Sequence, residues 1–259
     1  MKTALITGAS AGIGMELARV TAKAGHNLIL VARSEQRLMS LKTELEKDYG
    51  IKVSCLVKDL TQPDSCSGIF NELTQKGIHI DTLMNNAGFG DFEDFALADW
   101  NKLNDMIQLN ITALTHLTKL FLTPMMERGS GKIMNVASVA AFQPGPYMAV
   151  YFASKAYVLS FSEAVNEELK GSGVTVTALC PGPTESNFMD VSNMGNSSFI
   201  KGRKLPSSLS VAKYGYESMM KGKTVAVHGT ANYWLANLNR LVPRNWVVTI
   251  TRKLMKKVK

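Results

Sequence analysis

Short apolar runs bounded by turn residues recur along this chain at 3–6, 27–32, 52–57, 80–85, 132–137, 174–180 and 224–227. Helical patterns fill the gaps at 12–24, 35–49, 64–76, 98–125, 152–170 and 207–221. That alternation constrains the fold more than any other feature. Runs this short fit strands, and the stretches between them are long enough for helices. Strands joined through helices run parallel, because each crossover returns the chain to the same end of the sheet. The expected architecture is α/β: a doubly wound parallel sheet of about seven strands with helices on both faces. No internal repeat or linker divides the 259 residues, so 1–259 reads as a single domain. In such a sheet, ligands bind outside the carboxyl ends of the strands.

The residues at those ends carry chemistry. Ala4–Ile6 is followed at once by Gly8, Gly12 and Gly14, and a helical pattern (Met15, Leu17, Ala18, Val20, Ala22) then begins. Strand, glycine-rich turn and helix form the context in which a dinucleotide binds. The glycines let the backbone approach a pyrophosphate, which rests on the positive end of the helix dipole. The spacing is Gly-x-x-x-Gly-x-Gly, not the commoner Gly-x-Gly-x-x-Gly. Asp59 follows the third run, Asn85 closes the fourth, Ser138 follows the fifth and Pro181 the sixth. Tyr151-Phe-Ala-Ser-Lys155 sets a phenol and an ammonium four residues apart, on one helix face. An ordinary tyrosine titrates near 10. A nearby cation favours the phenolate, so Lys155 is expected to lower Tyr151 toward the range useful for acid–base catalysis.

With these motifs the chain resembles the short-chain dehydrogenase/reductase family in its compact single-domain form, over roughly residues 1 to 185. The resemblance implies a Rossmann-type fold and assigns Gly8, Ser10, Gly12, Ile13 and Gly14 to the cofactor loop. Asp59-Leu60 then contacts adenine, and Asn85-Asn86-Ala87-Gly88 closes the fourth strand beside the cofactor. Asn110 stands where the family keeps a helix-kinking asparagine that holds a water next to the lysine. Ser138, Tyr151 and Lys155 match the catalytic positions, and Pro181-Gly182 with Thr184 the segment touching the nicotinamide. The implied reaction is hydride transfer between nicotinamide C4 and a carbonyl or carbinol carbon. Ser138 would polarise the oxygen and Tyr151 would supply the proton. Lys155 would tune Tyr151 and bind the ribose, and Asn110 would link Lys155 to a proton relay. The family also keeps a mobile substrate loop where this chain has the Gly-, Asn- and Ser-rich stretch 184–206, read here as a lid. It usually forms dimers or tetramers through the helices around 98–125 and 152–170. Val158, Leu159, Phe161, Ala164, Val165 and Leu169 suggest surplus apolar surface there for a homo-oligomer.

Cofactor choice falls at the end of the second strand. An NAD site keeps a carboxylate there for the ribose 2′-hydroxyl. Here Ala32 is followed by Arg33 and Ser34, and a guanidinium can bind a 2′-phosphate through paired hydrogen bonds, which favours NADP. Ala11 departs from NADP-binding relatives, which often carry a second basic residue at that place. Arg37 reads as a solvated helix residue.

The formal charge of +8 sits in the tail: after Glu217 there are nine Lys or Arg and no acidic residue. Residues 245–259 carry Val247, Ile250, Leu254 and Val258 at helical spacing with basic residues on other faces. Such a basic amphipathic segment either docks on the body or lies peripherally on an anionic membrane. Trp246 and Val247, costly to leave in water, favour docking. Nucleic acid is disfavoured, because aromatics are not interleaved with the basic residues. No run approaches the length of a membrane span, and the first strand begins by residue 3, which leaves no room for a signal peptide. Cys55, Cys66 and Cys180 lack C-x-x-C spacing and read as buried free thiols of a reducing, cytoplasmic setting. The four histidines are scattered, so no metal is expected. The leading function is NADPH-dependent reduction of a ketone, aldehyde or 3-oxoacyl group on an apolar substrate. Alternatives are an alcohol dehydrogenase working in the oxidising direction and a cofactor-sensing protein without turnover.

Overall fold

A computed structural model describes residues 1–185, 188, 192, 205–239 and 242–255. Most of the stretch 184–206, read above as a lid, lies outside the described residues, as do 256–259.

The described chain forms one parallel sheet of seven strands in the order β3-β2-β1-β4-β5-β6-β7. The strands are β1 (Thr3–Thr7), β2 (Asn27–Ala32), β3 (Val53–Val57), β4 (Thr82–Asn85), β5 (Gly131–Val136), β6 (Val174–Cys180) and β7 (Val225–Val227). The helices between them are α1 (Gly12–Lys23), α2 (Glu35–Tyr49), α3 (Ser65–Gln75), α4 (Trp100–Ile107), α5 (Leu114–Glu127) and α6 (Ala149–Glu168). After β6 come α7 (Ser208–Met220), α8 (Thr230–Leu238) and α9 (Arg244–Leu254). The expected doubly wound sheet with helices on both faces is the fold observed.

Strand side chains alternate between two cores, as a two-residue period demands. Ala4, Ile6, Leu28, Leu30 and Met84 join α1, α2 and α7 on one face. Leu5, Ile29, Val31, Leu83 and Ile133 join α3 and α5 on the other. Ala4, Leu5 and Ile6 are all sealed from water, so β1 is buried on both faces and its run is continuously apolar. The strand order reverses between β1 and β4, whose register pairs Ala4 with Thr82 and Ile6 with Met84. A crevice opens at this switch point, beyond the carboxyl ends of both strands.

The helical stretch expected over 98–125 is not one regular helix. Between α4 and α5, residues Gln108–Ala113 form a π turn. Asn110 lies in this turn, with its side chain fully buried between the Phe89 backbone and Ser154 on α6. Helix α6 begins at Ala149, three residues earlier than the pattern indicated, so Tyr151 lies in its first turn. Its residues Val158 and Leu159, and Leu169 at its C-terminal cap, are buried in the cores, and Phe161 and Val165 are half-buried. The apolar surplus expected on the outer face of α6 is therefore smaller than the sequence suggested. Neither α8 nor the part α9 plays in the site was expected from the sequence.

Candidate active site

Beyond β1 the chain turns through Gly8, at a φ of 66°, and Gly12, at 54°, both in the left-handed region. A Cβ on Gly8 would lie 2.8 Å from Asn86 Nδ2 and 2.9 Å from the Ala87 Cα. The loop is clamped across the switch point. Asn86 Nδ2 donates to the carbonyls of Thr7 (3.0 Å) and Gly8 (3.3 Å), and the N–H groups of Asn86 and Ala87 donate to Thr7 Oγ1 at 3.0 Å. Helix α1 starts with Ala11 as its N-cap, and no side chain caps it. Its first N–H groups therefore keep their donor capacity for an anion. Gly14 does not face this space: a Cβ there would meet the Gly8 carbonyl oxygen at 2.2 Å. Gly14 is expected above as a cofactor contact, whereas in the structure it lets α1 pack against the loop.

A cavity of about 640 Å³ runs from this loop across the strand ends, within the range of about 300–1,000 Å³ common for small-molecule sites. Gly8, Ser10, Gly12, Ile13, Arg33, Asp59, Leu60, Asn86, Ala87 and Gly88 line it. So do Ser138, Tyr151, Lys155, Pro181, Gly182 and Thr184. At its outer end, Arg33 Nη1 lies 4.0 Å from Asp59 Oδ2 in a largely exposed pair. Asp59 Oδ1 is held by the Thr61 N–H and hydroxyl at 3.0 and 2.8 Å. An exposed pair at that distance contributes at most about 1 kcal/mol, so Arg33 is not tied up. Arg37 and Lys58 also line the cavity. Arg37 is exposed, as a solvated helix residue should be, and yet borders the site. Lys58 was missed, although its place directly after β3 is the signal that could have found it.

At the inner end, Ser138 accepts from the Ala140 N–H at 3.1 Å and lies 3.4 Å from the Pro181 carbonyl oxygen, to which its hydroxyl donates. Lys155 Nζ donates to the Val136 carbonyl at 2.8 Å and stands 5.8 Å from the centre of the Tyr151 ring. Gly88 leaves room for this group, since a Cβ there would lie 3.4 Å from Nζ and 2.9 Å from Asn110 Oδ1. Asn110 does not line the cavity. It accepts from the Phe89 N–H (3.1 Å) and donates to the Phe89 carbonyl (2.9 Å) and to Ser154 Oγ (3.1 Å), and Ser154 donates to the Tyr151 carbonyl at 2.7 Å. Within the described contacts Asn110 ties the π turn to Phe89 and to Ser154 on α6. Tyr147, two residues before α6 begins, holds a left-handed φ of 68° that costs a bulky residue about 1–3 kcal/mol. Its carbonyl accepts from the Glu93 N–H at 2.9 Å, and its phenol raises the pKa of Arg252 on α9.

The electrostatics depart from the expectation in one respect. Burial pushes the Tyr151 phenol up to about 12, with the Ser138 hydroxyl opposing, and pushes Lys155 down to about 8. Desolvation of the phenolate outweighs the ammonium, whose bond is aimed at the Val136 carbonyl and not at the phenol oxygen. Tyr151 is therefore a proton carrier throughout the neutral range. Phe89, Met148, Phe152, Phe188 and Met255 cluster with Tyr151 and line the cavity with it, and Leu235 from α8 also lines it, as do the polar Gln143 and Asn232.

The residues present suit a dinucleotide: an uncapped helix start beside a loop that no side chain could enter, a basic outer end, and a Ser–Tyr–Lys group at the inner end. Among the described residues no cluster of His, Cys, Asp and Glu could hold a metal. The sequence profile described as short chain dehydrogenase matches residues 2–196. A ketoacyl reductase of Nostoc sp. is 32% identical over 244 residues, covering 93% of this chain and 83% of the relative. A sulfoacetaldehyde reductase of Chromohalobacter salexigens is 38% identical over 197 residues, 74% of this chain and 76% of that protein. A short-chain dehydrogenase from Sphingobium yanoikuyae, solved in complex with NADPH, superposes with a TM-score of 0.83 at 31% identity, covering 93% of this chain and 94% of that one. Matched from its first strand to beyond its sixth, this chain belongs to the short-chain dehydrogenase/reductase family of oxidoreductases.

Proposed function

We propose that the chain reduces a ketone, aldehyde or 3-oxoacyl carbonyl on an apolar substrate, using NADPH. The observation that carries this reading is the buried Tyr151 phenol lining one cavity with Ser138 and Lys155, whose Nζ stands 5.8 Å from its ring, while Arg33, Arg37 and Lys58 line the same cavity. Reduction builds negative charge on a carbonyl oxygen, which calls for a hydrogen-bond donor and a proton source. Ser138 holds that oxygen and Tyr151 gives it the proton. Lys155 orders the ribose hydroxyls and returns a proton toward Tyr151, while Asn110 fixes the helix that carries both. The bound nicotinamide supplies the hydride. Gly8, Ser10, Gly12 and Ile13 hold the pyrophosphate against the start of α1, and Asp59, Leu60, Asn86, Ala87 and Gly88 hold the adenosine and nicotinamide ribose sides. Pro181, Gly182 and Thr184 back the nicotinamide. Arg33, with Arg37 and Lys58 beside it, takes the 2′-phosphate.

Two relatives are named as reductases of carbonyl compounds, and a structural neighbour was solved with NADPH, which supports the direction and the cofactor. The apolar cluster around Tyr151 argues for a less polar substrate than sulfoacetaldehyde. The test is a panel of ketones, aldehydes and 3-oxoacyl thioesters followed by NADPH oxidation, with Tyr151→Phe as control. The variant should lose turnover and keep NADPH affinity, because only the proton donor is removed. A variant that retained a tenth or more of the activity (about 1.4 kcal/mol of barrier) would remove Tyr151 from its role.

A further inference from the structure

The last two helices present an exposed apolar face, most of which lies outside the cavity. On α9, Val247 and Thr251, with Met255 just beyond it, recur every four residues and are buried against the body. The adjacent stripe, Trp246, Ile250 and Leu254, has the same spacing and faces outward, with Trp246 66% and Ile250 51% exposed. One apolar stripe is enough to dock a helix, and α9 carries two. On α8, Tyr233 and Trp234 are 53% and 59% exposed, and Leu235 and Leu238 are exposed beside them. Clustered exposed aromatic and aliphatic groups of this kind mark an interaction surface.

Two observations identify the partner. From His228 onward the chain has seven Lys or Arg and no Asp or Glu. Of these, Arg244 and Lys253 stand exposed on α9 itself. Trp, Tyr and Leu with basic residues around them are the composition of an element lying in the headgroup region of an anionic bilayer. A second copy of this chain would bring the same cations against their own images across a two-fold axis, with no acid in the segment to pair them. The second observation concerns the cavity. Leu235 and Leu254 are exposed and also line it, so the apolar face runs into the mouth of the substrate site. No described helix is long and apolar enough to cross a membrane, so the contact is peripheral.

We propose that the α8–α9 face docks on an anionic lipid surface and that the substrate cavity opens toward it, taking its carbonyl compound from the lipid. The delivery half rests on the hydride-transfer reading above; the docking half does not. The test is co-sedimentation of the full chain with phosphatidylcholine vesicles, with and without phosphatidylglycerol. Binding should require the anionic lipid and weaken about tenfold or more as salt is raised, because the Debye length contracts. Trp246→Glu/Ile250→Glu, at two exposed positions outside the cavity, should lose vesicle binding by about tenfold or more. The variant should keep NADPH affinity and turnover of a water-soluble ketone, and lose turnover of a long-chain ketone dissolved in the vesicles. Equal sedimentation of the two proteins, or none for the wild type, would overturn docking. So would a halved mass by light scattering in the variant, which would make the face a subunit contact. Vesicle binding that is lost in the variant, with no carbonyl turnover in either protein, would uphold docking while removing delivery and the catalytic reading.

Discussion

Lys155 gives the sharpest test of how the site is held. Its ammonium is buried and its pKa falls from the ordinary 10.5 to about 8. That drop corresponds to about 3 kcal/mol by which the folded protein disfavours the charged form at neutral pH. The sign follows from proton counting. Between about pH 8 and 10.5 the unfolded chain binds more protons at this group than the native one, so stability rises with pH across that window. The charge-assisted bond to the Val136 carbonyl contributes about 1.5–3 kcal/mol in the opposite sense, so the difference at one pH is ambiguous and the slope is the test. Lys155→Met removes the titration. Urea unfolding of both proteins at about pH 7 and pH 9.5 should show the wild type gaining about 2 kcal/mol relative to the variant. Tyr151 and Cys180, both raised to about 12 by burial, are present in both proteins and cancel. A stability difference that did not change with pH would mean that the ammonium is not desolvated as described.

Gly14→Ala places a methyl 2.2 Å from the Gly8 carbonyl oxygen and should weaken NADPH binding by at least tenfold in a fluorescence titration, as α1 is pushed off the loop. NADPH should bind more tightly than NADH, and Arg33→Ala should remove most of the preference, about tenfold to a hundredfold for a guanidinium–phosphate contact; equal wild-type affinities would refute the choice of cofactor. Oligomerisation is expected through α5 and α6, where Tyr157 is exposed, stacks on Phe161 with centroids 5.8 Å apart and hydrogen-bonds Thr115 across the helix pair. Light scattering should therefore give a multiple of the chain mass for the wild type and a lower mass for Tyr157→Glu.

The sheet was legible because β1 and β2 are buried on both faces along their middles, which writes Ala4–Ile6 and Leu28–Val31 as unbroken apolar runs, and because the other strands recur at similar spacing. The site was legible because its motifs stand at strand ends, where topology rather than packing decides what meets. Side-chain direction was harder to read. Trp246 and Val247 both promised burial, but adjacent helical residues lie about 100° apart, and only tertiary contact selects the 247–251–255 stripe over 246–250–254. On α6 the period could not tell that Val158 and Leu159 both turn inward, into the small core above β5 and β6. The rise in the Tyr151 pKa depends on how completely water is excluded, a property of elements that come together from both ends of the chain.

The clamp between Asn86 and the Thr7–Gly8 backbone joins segments almost eighty residues apart, and Met255 shares a cluster with Tyr151 from a hundred residues away. Closure of such distant loops is slow, and the two closures are unlike. The first needs only the central strands; the second needs the sheet finished and α9 seated on it. The loop at the start of α1 thus depends on two neighbouring strands alone, whereas the apolar surroundings of Tyr151 depend on parts of the chain as distant as Phe89 and Met255. Damage to the last helix therefore reaches the inner end of the cavity and spares the glycine-rich turn.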